Sequence, residues 1–532
     1  MTSSLDELAV VSGATLNAGD PDTAGKLRIA SVGINAQTLE ERSLFAAVPG
    51  TRTHGANFAA KSQATAILTD AEGYRILTEA GEKRPVLVVA NVRHILGKVA
   101  SAVYGNPSRE LTIIGVTGTA GKTTVVHMLE HALLKMGYAV AMIGTNGTRI
   151  NGEPHHTELT TPEAPVLQAL FRHMVDIGVT HVVMEVSSHA LELGRVGGVE
   201  FTVGGFTNLS QDHLDFHDTM EEYFAAKAQF FQPGSPVRPT SVVINVDQQW
   251  GRRMAVIAGP AAATISLTGA PASQPVTEIV PTAGGGHTFT MRIGETRIHA
   301  ETVLPGLFNV ANAALAMSLA HAAGVQVQQF AEALTDAVVP GRMQPIQQGQ
   351  DFAVFVDYAH KPAALAAVLD TVADQTQGRI AVVFGAGGDR DHGKRPVMGK
   401  EAATRANLVV VTDDNPRSED PATIRREILA GIHELSQKPA TAAKKSLSSA
   451  KNRQDKKNGT GLAKKRKSLA EVHQIGDRSA AIAYAIDWAN PGDTVIIAGK
   501  GHETGQQIGD EVIEFNDVTQ AEHAIAQRLR RS

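Results

Sequence analysis

The stretch Ile113-Ile-Gly-Val-Thr-Gly-Thr-Ala-Gly-Lys-Thr-Thr-Val-Val-His-Met-Leu129 decides the fold. Its opening, from Leu111 to Val116, is apolar and β-branched, the pattern of a strand buried on both faces. From Thr123 to Lys135 the apolar residues Val125, Met128, Leu129, Ala132 and Leu133 recur at helical spacing. A Gly-rich turn joins the two. Such a strand, turn and helix start form a phosphate cradle: small residues let backbone N–H groups converge at the positive end of the helix dipole. Gly118, Thr119, Ala120, Gly121 and Thr124 would shape it, Lys122 would reach the terminal phosphates, and the Thr123 hydroxyl would face a Mg2+. Val116 stands where the first glycine of G-x-x-x-x-G-K-[ST] belongs, so an ordinary Gly-rich turn is the alternative. The strand and helix on either side of Gly-Lys-Thr-Thr favour a nucleoside triphosphate.

At 532 residues the chain has room for about three domains. Apolar content of 43% and charged content of 19% suit a soluble globular protein, and a net charge of −5 gives no reason to expect nucleic-acid binding. Without cysteine there are no disulfides, thiolate zinc sites or Cys nucleophile, in keeping with a reducing compartment. No basic region followed by an apolar stretch comes after Met1, and no apolar run nears the ~20 residues that span a bilayer. A cytoplasmic, non-transmembrane protein is expected.

Residues 1–108 read as a small α/β domain with strands at Leu44 to Val48, Ala64 to Leu68 and Pro85 to Ala90, and Asn106-Pro107-Ser108 reads as a linker. In the central segment, 109–341, Thr160-Thr161-Pro162 opens an amphipathic helix through Met174. His181-Val-Val-Met-Glu-Val-Ser-Ser-His189 is a buried strand ending in polar groups. Glu185 is placed to serve a metal beside the phosphate loop; the alternative is a buried structural Glu, which without a partner is costly. Asn208, Asp212, His213 and Asp215 cluster after the strand-like Val203 to Phe206, although each alone could be a solvated loop residue. By pattern alone Lys227 is a surface helix lysine. Residues 270–303 read as short alternating strands, and Gly306 opens an Ala-rich helix.

From 342 to 532 a strand–loop–helix rhythm predicts a doubly wound parallel sheet. Its strands, Ala353 to Val356, Ile380 to Phe384, Leu408 to Val411 and Thr494 to Ala498, each end in polar or Gly-rich residues, where such sheets bind ligands. Between 437 and 469 the chain turns Lys/Ser/Asn-rich and is expected to be a disordered or loosely helical insertion. It is read as a solvated loop or, alternatively, as a patch for weak contact with an anionic surface.

Together, Thr117-Gly-Thr-Ala-Gly-Lys-Thr123, Glu185-Val-Ser-Ser-His189, Thr207-Asn-Leu-Ser-x-Asp-His213, Gly306-x-Phe-Asn-x-x-Asn312, Asp357-Tyr-Ala-His360 and Gly499-Lys-Gly-His502 resemble the Mur ligases of peptidoglycan synthesis. Asp389-Arg-Asp-x-Gly-Lys-Arg-Pro396 and Asp414-Asn-Pro-Arg417 narrow the resemblance to the branch adding the third residue, meso-2,6-diaminopimelate, to UDP-MurNAc-L-Ala-D-Glu. It implies an α/β protein of three domains: a small N-terminal UDP-binding domain, a central P-loop ATPase-like domain and a C-terminal Rossmann-like domain, able to close at hinges near 108 and 342. ATP would phosphorylate the D-Glu γ-carboxylate, and the amine of the amino acid would displace phosphate.

The resemblance also implies roles. Lys122, Glu185, His213 and Lys227 would be catalytic. Mg2+ would be held by Thr123, Glu185, His213 and Lys227, the last carrying a CO2-derived carbamate, which reverses the pattern-only reading of Lys227. Asn312, Arg342 and Asp357 would contact ATP, and Thr160, Thr161, Ser187 and Arg195 the UDP-dipeptide, with Thr51, Arg52 and Thr53 near the uridine. Relatives often have Asp-Ser-Arg where Asn35-Ala36-Gln37 stands, and some a substrate-touching glutamine where Leu193 stands. Arg390, Asp414, Asn415, Pro416, Arg417, Gly499 and Glu503 would take diaminopimelate, Arg417 pairing its extra carboxylate. Lysine-adding relatives usually lack that arginine. A lysine-adding ligase, a folylpolyglutamate synthase relative and a non-catalytic nucleotide-binding protein are the competing readings, and a monomer is expected.

Overall fold

A computed structural model describes residues 2–50, 52–211, 216–282, 285–437 and 470–531. Thr51, Asp212, His213, Asp215 and the basic stretch 438–469 lie outside them. The chain divides into two compact units, Met1–Val280 with Thr288–Thr302 and Phe308–Ala337, and Pro281–His287 with Val303–Leu307 and Val338–Ser532. Among the described residues no helix is long and apolar enough to cross a membrane.

The first unit carries two large sheets. One has five strands in the order Thr15–Asn17, Val86–Val88, Ala66–Thr69, Ser43–Ala46, Ser31–Gly33, parallel except for its first pair. Three of these strands match those predicted for residues 1–108, with their ends displaced: Ser43 and Thr69 extend the first and second beyond the expected spans, and the third is shorter. The other sheet has eleven strands, and at its centre Thr112–Thr117 lies between His181–Glu185 and Val203–Phe206, all parallel. Ile113, Ile114, Val182, Val183 and Met184 are wholly buried, as a two-sided strand requires. The predicted alternating strands at 270–303 form the far edge, as Gln274–Pro281, His287–Ile293 and Thr296–Thr302. Val116 belongs to the central strand, opposite Glu185 on one side and Gly205 on the other. A strand position needs no glycine, which explains the departure from the phosphate-loop pattern.

The second unit is built on a six-stranded sheet in the order Gln344–Pro345, Ala353–Asp357, Thr494–Ala498, Ile380–Phe384, Leu408–Val411, Glu471–Gln474, parallel except for its first pair. Thr494–Ala498, the last of its long strands along the chain, inserts between the first two, so the strand order reverses there. Alternate residues of each strand feed two cores. Val382, Phe384, Val409, Val411 and Ile496 pack on helices Pro362–Gln375, Lys394–Arg405 and Pro421–Gln437. Ala381, Val383, Leu408, Val410, Val495 and Ile497 pack on helices Arg478–Trp488 and Asp517–Arg531. This is the predicted doubly wound sheet. The edge strand Glu471–Gln474 escaped prediction because it follows the basic stretch and alternates weakly.

Two buried guanidinium groups fix the loops at the carboxyl ends of these strands. Arg478, fully buried, donates through Nε and Nη2 to both carboxylate oxygens of the fully buried Asp517, each at 2.7 Å. Its Nη2 also reaches the Ala498 carbonyl, the last residue of its strand, at 3.0 Å. Arg395, also fully buried, donates to both Glu419 oxygens at 2.9 Å, to Glu427 at 2.7 Å and to the Gly387 carbonyl at 3.1 Å. It thereby ties the loop after Phe384 to the loop after Val411.

Removing one partner of a buried ion pair leaves the other uncompensated. Asp517→Asn is expected to destabilise the second unit by about 3–5 kcal/mol, read as a lower denaturation midpoint. The Arg395 hydrogen bonds hold the Glu419 carboxyl down at about 2 against partial burial. Its unfolded value is about 4.3, so its contribution is present above that pH and is lost as pH falls toward 2. Glu419→Gln should flatten the acid limb of stability between about pH 4.3 and 2, and an unchanged limb would exclude this pair as its source.

Candidate active site

In the first unit the phosphate loop is braced from the neighbouring strand end. The Ala120 N–H donates to Asn208 Oδ1 at 3.0 Å, while Asn208 Nδ2 and Thr207 Oγ1 donate to the Ala120 carbonyl at 3.0 and 2.7 Å. The Thr119 N–H donates to the Asn208 carbonyl at 2.9 Å. Gly118 has φ +142°, and a Cβ there would lie 1.9 Å from Thr207 Oγ1, so only glycine fits. Gly121, at φ +89°, precedes helix Lys122–Lys135, whose first turn has no side-chain cap. The N–H groups of such a helix start are the ones an anion can use. Lys122 Nζ folds over the loop and donates to the Gly118 and Thr119 carbonyls at 3.0 and 2.9 Å. Thr124 is buried in the same turn.

Glu185 ends its strand wholly buried. Its carboxylate accepts from Thr123 Oγ1 at 2.9 Å, the Thr145 N–H at 2.8 Å and Thr145 Oγ1 at 3.2 Å. Three donors offset the cost of burying that charge. Thr145 was missed by sequence reading; its signal was its place directly after the strand Val140–Gly144. Asn312 lies against the loop, its Oδ1 2.4 Å from where a Cβ on Gly121 would be, and its Nδ2 donates to Asn309 Oδ1 at 3.2 Å.

Lys227 is almost wholly buried, which corrects its pattern-only reading as a surface lysine. The i,i+4 spacing on helix Met220–Ala228 sets its Nζ 4.6 Å from the centre of the Tyr223 ring. The Tyr223 hydroxyl lies 3.2 Å from Thr119 Oγ1. Packing of the helix against the phosphate loop, which one helix's pattern does not encode, turned this face inward.

A polar group surrounds the start of the next helices. Thr161 Oγ1 donates to the Glu185 carbonyl at 2.8 Å and accepts from the Ser187 N–H at 3.4 Å. Ser187 Oγ caps helix Ser188–Glu192 through the Ala190 N–H. Arg195 pairs with Glu163 at 2.9 Å and donates to the Thr161 carbonyl, while Thr160 Oγ1 lies 3.4 Å from Thr145 Oγ1. Arg52 and Thr53 are exposed after strand Ser43–Ala46, where the Thr53 carbonyl accepts from Gly50. Asn35 caps a short 3-10 turn through the Gln37 N–H.

In the second unit the predicted residues gather on the strand ends around the reversal point. The buried Asp357 accepts from the Met343 and Ala359 N–H groups at 2.7 and 2.8 Å. Burial pushes its carboxyl up, while the nearby Arg342 and these donors oppose the rise. The Arg342 guanidinium stacks 4.7 Å from the centre of the Tyr358 ring. Gly499, at φ +117°, passes 2.6 Å (measured from a hypothetical Cβ) from Asp414 Oδ2. Asn415 Nδ2 donates to Glu503 Oε2 at 2.8 Å. The Pro416 carbonyl packs on Gly388 so closely that a Cβ would lie 1.9 Å from it. Arg417, in the left-handed region at φ +51°, donates through Nη1 to the Gly388 carbonyl at 2.7 Å. Arg390 is exposed on the facing loop. Lys500 and Arg395 stand within the motifs read from sequence but were not singled out.

The Mur ligase middle domain family matches residues 116–320, and the family described as Mur ligase, glutamate ligase domain, matches residues 341–501. The chain is similar to the UDP-N-acetylmuramoyl-L-alanyl-D-glutamate–2,6-diaminopimelate ligase of Corynebacterium efficiens, 50% identical over 99% of this chain and 95% of that one. The protein of that name from Streptomyces avermitilis is 40% identical over 98% and 96%. A solved structure of a ligase of the same name superposes with TM-score 0.69 at 30% identity, covering 99% of this chain and 100% of the other. Whole-length relatives at these identities, with two of the family's domains matching in order, show that this chain belongs to the Mur ligase family.

Proposed function

We propose that the chain is an ATP-dependent amide ligase joining meso-2,6-diaminopimelate to the D-Glu γ-carboxylate of UDP-MurNAc-L-Ala-D-Glu in peptidoglycan precursor synthesis. The whole-length relatives are named as ligases of UDP-N-acetylmuramoyl-L-alanyl-D-glutamate and 2,6-diaminopimelate, which supports this reading. The observation that carries the substrate choice is the strand-end group Asn415, Arg417 and Glu503. It sets a pinned guanidinium and a carboxylate in one loop cluster, the complement of an amino acid with charges of both signs at its far end. In this reading Arg417 with Arg390 takes the extra carboxylate, and Glu503 with Asp414 answers the ammonium, beside Pro416 and Gly499.

A carboxylate is a poor electrophile until one oxygen becomes a leaving group. The γ-phosphoryl group of ATP moves to the D-Glu carboxylate oxygen, its bond to the β-phosphate oxygen breaks, and ADP leaves. The diaminopimelate amine then attacks the acyl carbon and loses a proton, and inorganic phosphate departs with that oxygen as the amide forms. Phosphoryl transfer of this kind is chiefly positioning and charge neutralisation. In this reading Lys122 and the helix start after Gly121 orient the phosphates and Asn312 serves the nucleotide on the first unit, while Arg342 and Asp357 are the second unit's residues assigned to ATP.

Thr123 Oγ1 and Glu185, paired at the loop, form the hard-oxygen set that suits Mg2+, and His213 and Lys227 complete it in this reading. Bound there, the cation neutralises charge on the transferred group. A CO2-derived carbamate on Lys227 would replace its ammonium with anionic oxygens, and its buried place beside the phosphate loop fits that role. Thr160, Thr161, Ser187 and Arg195 hold the dipeptide end, and Thr51, Arg52 and Thr53 lie toward the uridine. Residues 1–108, 109–341 and 342–532 serve the uridine, the nucleotide and the amino acid in turn, in a cytoplasmic monomer.

The test is phosphate release with ATP, Mg2+ and UDP-MurNAc-L-Ala-D-Glu, comparing meso-diaminopimelate with L-lysine. Release should require both the UDP-dipeptide and the amino acid and should strongly favour diaminopimelate. Arg417→Ala should raise the KM for diaminopimelate by about 100-fold, roughly 3 kcal/mol, because a charged hydrogen-bond partner is lost. Preference for lysine by the unaltered protein would overturn the assignment of the pocket.

A further inference from the structure

We infer that Lys500 is a positioning residue for the amino-acid substrate, acting through Asn415; the inference rests on the reading of this pocket given above. Lys500 follows strand Thr494–Ala498, and its side chain is wholly buried. Its Nζ donates to Asn415 Oδ1 at 3.0 Å and to Glu503 Oε2 at 3.0 Å. The Gln507 N–H donates to the same Asn415 oxygen at 2.9 Å, and Asn415 Nδ2 donates to the same Glu503 oxygen at 2.8 Å.

The two ends of an amide group have nearly the same shape, so hydrogen bonding alone decides which way asparagine faces. An ammonium and a backbone N–H are donors only. With both aimed at one atom of Asn415, that atom must be the oxygen, and the NH2 group must point the other way, toward Glu503. Lys500 thus fixes Asn415 as a donor at the mouth of the pocket, the polarity a substrate carboxylate needs. Turned over, the amide would offer a carbonyl to the carboxylates of both Glu503 and the ligand, a repulsive arrangement.

Lys500 has a second consequence for charge. A buried ammonium is tolerated only when paired, and here its pair is the carboxylate proposed to meet the substrate ammonium. Lys500 and Asn415 both bind Oε2 of Glu503, which anchors that oxygen of the carboxylate. The built-in ammonium also partly neutralises Glu503, so a lone cation gains less there than an amino acid whose carboxylate also meets Asn415 and Arg417.

The experiment is steady-state kinetics of the full chain with all three substrates, for Lys500→Met, Lys500→Gln, Asn415→Ala and the double variant Lys500→Met/Asn415→Ala. Lys500→Met should raise the KM for diaminopimelate by about 30-fold while changing kcat and the KM values for ATP and the UDP-dipeptide less than about threefold, as expected for loss of a charged hydrogen bond in a pocket. Lys500→Gln restores a neutral donor toward Asn415 Oδ1 and should recover most of that loss. In the Asn415→Ala background Lys500→Met should add well under its roughly 30-fold single effect, because Asn415, one of the two residues it holds, is gone and only the Glu503 contact remains to be lost. Equal rises in all three KM values, full additivity with Asn415→Ala, or no change in the diaminopimelate KM would each overturn the inference. If Lys500→Met does not fold, Lys500→Gln decides: an undiminished thermal midpoint with a KM rise for diaminopimelate alone, well below about 30-fold, supports the inference, and any other pattern overturns it. Failure of the unaltered protein to use diaminopimelate would instead overturn the reading of the pocket.

Discussion

The buried carboxylate of Glu185 is the constraint on which the arrangement of the phosphate loop depends. A charge at the end of a central parallel strand is tolerable only if donors converge on it, and here they come from two other segments, Thr123 on the phosphate loop and Thr145 after the adjacent strand. Satisfying one carboxylate therefore fixes the spacing of three loops. The same economy appears on the other flank, where Asn208 uses both ends of its amide to hold the Ala120 peptide. A loop held on both sides keeps its N–H groups aimed before any phosphate arrives, which is what preorganised electrostatic catalysis requires.

The second unit solves a similar problem with ionic groups. Gly-rich loops at strand ends have little side-chain packing of their own, so Arg395 and Arg478 hold them from beneath, each using several donors on separate segments. The planar fork of arginine suits this task because it meets two carboxylate oxygens and a carbonyl without rearrangement. Above that foundation sit Asn415, Lys500 and Glu503, joined by mutual hydrogen bonds, and Arg417, held by the Gly388 carbonyl, so each has little freedom in how it faces outward. Selectivity in such a pocket comes from buried partners that an incorrect substrate would leave unpaired.

Much of this was legible in the chain because local pattern and tertiary role coincide in buried parallel strands. The runs Ile380–Phe384, Leu408–Val411 and Thr494–Ala498 are apolar throughout since both of their faces are covered, and each polar stretch that follows marks a strand end. Glu185 and the phosphate loop could be read the same way. Lys227 could not: a lysine beside small residues on a nine-residue helix has the pattern of a solvent face, and only the resemblance to a known family argued otherwise. Thr145 and Lys500 lay beside conspicuous motifs, yet nothing local says which neighbour a hydroxyl or an ammonium will meet.

The sequence by itself determined the strand–loop–helix units, the phosphate loop and the kinship with the Mur ligases, because hydrophobic period, glycine placement and motif order are properties of a linear chain. The tertiary structure alone decided which distant polar groups share a hydrogen bond: Thr145 with Glu185, Asn208 with Ala120 and Lys500 with Asn415. Lys500 meets Glu503 locally, across a turn in which the Glu503 N–H donates to the Lys500 carbonyl at 3.0 Å. The distant partners are separated by 40, 88 and 85 residues, so their meeting is set by how strand ends are brought side by side and not by any period along the chain.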